Sequence, residues 1–219
     1  MRLYLSSYRF GDRIDLLLAM LRPGAKVGVI SNALDAIPQA ARDSYARTVH
    51  DPLAELRGHG LDAADLDLRH FFDRPDKLEE ALAALDLVWA VGGNSFLLRR
   101  AMRQSGFDRV GVDLIKTDKL AYGGWSAGAV VVAPDLRGID LMDDPTVLAE
   151  GYDPAPVFDG LNLIAFHLVP HYESDHPESE AAGRVTAYLL EHALPYRTMR
   201  DGDVVIRDAD GIKAYERED

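Results

Sequence analysis

Gly124-Trp125-Ser126-Ala127-Gly128 sets one serine between two glycines at the spacing Gly-x-Ser-x-Gly. The lead-in Lys119-Leu120-Ala121-Tyr122 reads as a buried strand, and Ala129-Val130-Val131-Val132 as the start of a buried helix. A strand, a sharp turn and a helix hold such a serine on a strained corner with its Oγ exposed. The backbone N–H of the next residue, Ala127, then faces a developing oxyanion. Glycines are required on either side because a Cβ there would meet the turn or the facing backbone. The chemistry this pattern points to is attack on a carbonyl. Its competitor is a glycine-rich turn that happens to carry a serine.

A serine nucleophile needs a base, nearly always histidine. Of the seven histidines, His50, His59, His70 and His192 sit in polar or helical contexts and read as surface residues. His167 lies inside an apolar run and reads as a hydrogen-bonded core histidine. His171 stands just past a strand end, after Pro170 fixes the local backbone, where a parallel sheet presents its active-site groups. His176, in the same loop, is an outside candidate. A third group must orient the imidazole, and Asp140 and Asp201 are both available. Asp143 and Asp144, paired acids before Pro145, read as a solvated turn. A second oxyanion donor is offered by Gly92-Gly93, where backbone without Cβ can approach a substrate. Gly92-Gly93-Asn94 lacks the further glycine of a dinucleotide fingerprint, and no Walker-type Gly-Lys-Ser occurs. His167 and His171 have a zinc-like spacing, but on a strand-like stretch broken by Pro170, so neither metal nor cofactor is expected.

The elements that must position these groups alternate. Strands are predicted at Arg2 to Ser6, Lys26 to Ser31, Leu61 to Leu68, Asp86 to Val91, before Ser126, and Leu161 to Val169. Helices are predicted at Ile14 to Leu21, Ile37 to Leu56, Pro75 to Leu85 with Asp73 as N-cap, Phe96 to Gln104, Asp108 to Thr117 and Glu178 to His192. The tail from Tyr196 to Tyr215 holds two or three short strands with a turn at Asp201-Gly202. This alternation predicts an α/β fold with a mostly parallel sheet covered on both faces, in one domain over residues 1–219. Ligands of such sheets gather at the carboxyl ends of the strands, where both Gly92-Gly93 and Ser126 fall.

Composition narrows the function. A net charge of −12 argues against nucleic acid and anionic membranes, and an acidic substrate would need a local cation. The absence of cysteine excludes disulfides, thiolate metal sites and cysteine nucleophiles. With no signal-like N-terminus and no bilayer-length apolar run, a cytoplasmic protein is expected, as monomer or homodimer.

The order of Val91-Gly92-Gly93-Asn94-Ser95-Phe96, Gly124-Trp125-Ser126-Ala127-Gly128-Ala129, Pro134…Arg137, Leu161-Asn162-Leu163 and Pro170-His171-Tyr172 resembles peptidase family S51, the aspartyl dipeptidase family. The resemblance covers essentially the whole chain. It implies a class I glutamine amidotransferase-like fold, a three-layer αβα arrangement. It implies Ser126 as nucleophile, His171 as base, and Gly92 and Ala127 as oxyanion donors. For the third member it offers two positions, Asp140, matched only with a gap, and Asp201 before Gly202, which fits the local pattern better. It also implies an arginine that binds the substrate's N-terminal aspartate, and Arg184 is the basic residue that matches with a one-residue gap. The expected activity is therefore a serine dipeptidase acting on Asp-X. The alternatives are another peptide specificity, including the aspartate–arginine polymer cyanophycin, and a binding protein that has lost turnover.

Overall fold

The computed structural model describes residues 1–218; Asp219, the last residue of the expected domain, lies outside them. The strands are β1 (Leu3–Ser6), β2 (Lys26–Ile30), β3 (Asp62–Asp65), β4 (Leu87–Ala90), β5 (Ala121–Trp125), β6 (His167–Val169), β7 (Tyr196–Thr198), β8 (Val204–Asp208) and β9 (Gly211–Tyr215). The helices are α1 (Ile14–Ala19), α2 (Gln39–Thr48), α3 (Pro52–Gly58), α4 (Pro75–Leu82), α5 (Ser95–Ser105), α6 (Phe107–Lys116), α7 (Ala127–Val130) and α8 (Ser179–Glu191). The main sheet has seven strands in the order β3-β2-β4-β5-β1-β8-β9. Its first five run parallel, and β8 and β9 add an antiparallel edge.

Strands β1, β4 and β5 are buried on both faces, as parallel strands covered by helices must be. Leu3, Leu5, Val88, Ala90 and Tyr122 enter one apolar layer with side chains of α4, α5, α6 and α7. Tyr4, Leu87, Trp89 and Ala121 enter the opposite layer with Leu17 of α1 and Leu56 of α3. The result is the expected three-layer α/β arrangement. A third cluster joins Ala182, Val185 and Leu189 of α8 to Val130, Ile139 and Val169.

Three expectations are corrected. The helix predicted from Ile37 to Leu56 is two helices, because Pro52 cannot continue α2 and Asp51 caps α3, accepting from the N–H groups of Leu53 and Ala54. Asp73 does not cap α4; Arg74 holds that position with no side-chain bond, and Asp73 has φ +57°. Of the predicted strand from Leu161 to Val169 only β6 forms, and β6 pairs with β7 in a separate small sheet. Leu161, Asn162 and Leu163 instead donate their N–H groups to the carbonyls of Val131, Ala133 and Val132, in the turn that follows α7. His171, just beyond β6, is therefore carried to the cleft that Ser126 lines from outside the main sheet.

Candidate active site

Ser126 sits between β5 and α7 with φ +47° and ψ −115°, a conformation costly for a residue with a side chain. The strain is enforced from both sides. Ideal Cβ atoms on Gly124 and Gly128 would lie 2.7 and 2.2 Å from the carbonyl oxygen of Ala90, so neither position admits a larger residue. The Ser126 N–H donates to the carbonyls of Ser6 and Ser7, at 3.2 Å each, tying the corner to the end of β1. Ala127 opens α7, so its N–H has no acceptor within the helix. Gly92 follows β4 and abuts the same corner. A Cβ there would lie 2.5 Å from Trp125 Nε1 and 3.2 Å from Ser126 Cβ.

His171 lies just beyond β6, is 1% exposed and has φ +61°. Its Nδ1 is 2.8 Å from Asp201 Oδ1. An ionised carboxylate only accepts, so the proton resides on Nδ1 and the Nε2 of the neutral ring presents a lone pair. Burial opposes ionisation of Asp201, but the His171 bond and charge and the Ser7 hydroxyl outweigh it, holding the carboxyl below its ordinary range. Asp140 is exposed in the short turn Ile139–Leu141 and, among the described residues, makes no side-chain hydrogen bond or ion pair. The structure thus joins His171 to Asp201 and not to Asp140. Ser126 and His171 line one cleft of about 720 Å³, with Gly92, Trp125, His176 and Glu178 on its wall.

Arg184 does not line this cleft. It is half exposed on α8, where Nη1 donates to Glu180 at 3.0 Å and Nη2 to the Leu141 carbonyl at 3.3 Å. The arginines that do line the cleft are Arg42 and Arg69, and both are neutralised, Arg42 by Asp35 at 3.0 Å and Arg69 by Asp67 at 2.6 Å.

Ser7, His50 and Asp143 stand at or near the site without having been expected there, and His176, the outside candidate, lies beside His171. Ser7 is fully buried. Its Oγ–H donates to Asp201 at 2.9 Å and accepts from the His171 N–H at 2.8 Å, while its carbonyl receives the Ser126 N–H. It touches all three candidate members of the triad. The available signal was its position at the carboxyl end of β1, beside β5. His50, expected at the surface, is buried edge-on against Trp125, and desolvation followed by the charge of Arg9 pushes its pKa down to about 4. His176 stacks on His171 with ring centres 3.7 Å apart and planes 10° from parallel. Burial, then the neighbouring His171, pushes its pKa down. Asp143 is not a solvated turn residue: its Oδ2 accepts from the Ser95 N–H at the start of α5, and burial pushes its pKa up to about 6. His167 is the core histidine the sequence suggests, bonded to the Pro195 carbonyl and to Asp135. His171, His176 and Glu178 bring one donor atom each to within 4.8 Å of one another and are the side chains that could hold a cation. The Nδ1 of His176 already accepts the Glu178 N–H at 3.2 Å, which leaves that nitrogen poorly placed for a metal.

A buried serine on a strained turn, an imidazole fixed by a carboxylate, and free N–H groups around the corner suit acyl transfer. Comparison with known proteins gives the family. The family model for peptidase family S51 matches residues 31–214. Peptidase E of Streptomyces coelicolor is 34% identical over 188 residues, covering 80% of this chain and 73% of that protein. The probable alpha-aspartyl dipeptidase of Drosophila melanogaster is 30% identical over 176 residues, covering 77% and 66%. A crystal structure of a protein described as a peptidase E from Listeria monocytogenes has a TM-score of 0.79 over 99% of this chain and 98% of that one, at 23% identity, a likeness of fold.

Proposed function

Because this chain belongs to peptidase family S51 and is a serine-type peptidase, we propose that it hydrolyses short peptides through an acyl-enzyme formed on Ser126. In this reading His171 Nε2 takes the Ser126 proton as Oγ attacks the scissile carbonyl, and returns it to the leaving amine. Asp201 holds the ring tautomer and stabilises the imidazolium. The Gly92 and Ala127 N–H groups receive the oxyanion; loss of one such donor costs about 100–1000-fold in rate. A water then repeats the sequence on the ester. The single observation that carries the reading is the 2.8 Å contact between His171 Nδ1 and Asp201, which leaves a lone pair on Nε2 within the cleft that Ser126 lines.

The cleft volume of about 720 Å³ suits a ligand of two or three residues. Its wall carries six carboxylates and two arginines, both arginines already paired, so it favours a cationic end of the substrate over an acidic side chain. We therefore favour peptides with a free N-terminus and no strict demand for N-terminal aspartate. Preference for Asp-X is the second reading. The name of the Drosophila relative favours it, and in this chain it needs a cation other than Arg184. Steady-state rates on Asp-X, Glu-X, Ala-X and Lys-X dipeptides separate the two. Ser126→Ala is expected to lower every rate by about 10⁴-fold or more with an unchanged melting curve. Normal turnover by S126A would end the reading.

A further inference from the structure

The carboxylate of Glu178 is unexplained by acyl transfer, yet it faces the atom on which acyl transfer depends. Its Oε2 is 3.6 Å from His171 Nε2. That separation is too long for a hydrogen bond. With the ring proton held on Nδ1 by Asp201, two acceptors face one another across the gap. A pair of acceptors is incomplete until donors arrive. In the proposed mechanism Ser126 supplies one for Nε2. We propose that the other is the free α-ammonium of the peptide, received by Glu178. The proposal rests on the reading of Ser126 and His171 as nucleophile and base.

Three further observations support it. The geometry of a peptide puts the α-nitrogen of the N-terminal residue about 2.5 Å from that residue's carbonyl carbon. When this carbonyl is the one attacked, the ammonium falls beside His171 Nε2, within reach of a carboxylate at that distance. Glu178 is also held in place. It directly precedes α8, its N–H donates to His176 Nδ1, and the His176 ring stacks on His171, so its backbone is linked to the base by two contacts. Finally, Glu178 has no lysine or arginine partner among the described residues, and its side chain, 40% exposed, opens onto the cleft. An N-acylated or internal peptide brings no charge to this carboxylate and leaves it desolvated without compensation. The consequence is an enzyme that removes residues from a free N-terminus.

The test compares the p-nitroanilide of whichever N-terminal residue is cleaved fastest with its N-acetyl derivative, on wild type, Glu178→Gln and Glu178→Asp. Wild type is expected to favour the free amine by about 10–150-fold in kcat/KM, the range of one charge-assisted hydrogen bond. E178Q is expected to bring that ratio to within about threefold of unity through a loss on the free amine, and E178D to restore part of it. A wild type indifferent to acetylation, or an E178Q variant that keeps the wild-type ratio, overturns the proposal. If E178Q loses its cooperative melt, wild type is assayed on the α-hydroxy analogue of the same anilide. A loss of tenfold or more supports the proposal, and equal rates overturn it. A wild-type protein that cleaves nothing and takes no fluorophosphonate on Ser126 overturns the peptidase reading and this one with it, an outcome distinct from indifference to acetylation.

Discussion

Replacing Ser7 with alanine should disturb the site more than the loss of one hydroxyl suggests. The Oγ accepts from the His171 N–H at 2.8 Å and donates to Asp201 at 2.9 Å, and the residue is wholly buried. S7A leaves a buried N–H without an acceptor, a cost of about 1–3 kcal/mol. For a chain of this length that lowers Tm by about 2–12 °C. His171 is held at φ +61° partly by this bond. Released, the ring can drift, and a displacement on the order of 1 Å costs about 100-fold in rate. We expect kcat/KM to fall about 10–100-fold, mostly through kcat. Asp201 is buried, which favours its neutral form, and the His171 and Ser7 bonds together hold it ionised; without Ser7 one of those bonds is gone and its pKa rises. The assay is kcat and KM measured separately, alongside thermal unfolding. A variant with wild-type kcat, whatever its Tm, would refute the argument that Ser7 positions the base.

Asp201→Asn should lower kcat by about 10⁴-fold by allowing the wrong ring tautomer, whereas Asp140→Asn, at an exposed turn with no side-chain bonds among the described residues, should be silent; equal effects in the same assay would contradict the assignment. Gly92→Ala sets a Cβ 2.5 Å from Trp125 Nε1, so we expect about 1–3 kcal/mol of destabilisation and a fall in kcat as the N–H is displaced, read by unfolding and kinetics together. Asp143 has its folded pKa raised to about 6 by burial, so the native state binds its proton more tightly than the unfolded chain and stability is lost as pH rises through that value. Asp143→Asn removes this loss while keeping an acceptor for the Ser95 N–H, and should raise Tm at pH 8 but not at pH 4; an equal shift at both would disprove it.

What the sequence made legible was local. The turn at Ser126 could be read because its glycines, its apolar lead-in and its small residues all demand one conformation. The alternation of elements followed from periodicity, and β1 to β5 form the parallel sheet this implied. What stayed hidden depends on distant partners. Ser7 meets His171 and Asp201 across 164 and 194 residues, and no local pattern marks it. Leu161 to Ile164 is apolar enough for a strand, yet its N–H groups are taken by the carbonyls of Val131, Val132 and Ala133 after α7, a competition decided only in three dimensions. Arg184 matched the family pattern only with a one-residue gap, and α8 buries Ala182, Val185 and Leu189, a phase that turns residue 184 to solvent. His50 looked like a surface residue because its neighbours are polar, and only the packing of Trp125 shows otherwise.

The most direct test of the account is peptide mapping of the protein after reaction with a fluorophosphonate, with and without His171→Ala. The account predicts one adduct per chain, on Ser126, formed at least about 100-fold more slowly in H171A because the base that activates the hydroxyl is gone. An adduct on another residue, or equal labelling of both proteins, would contradict it.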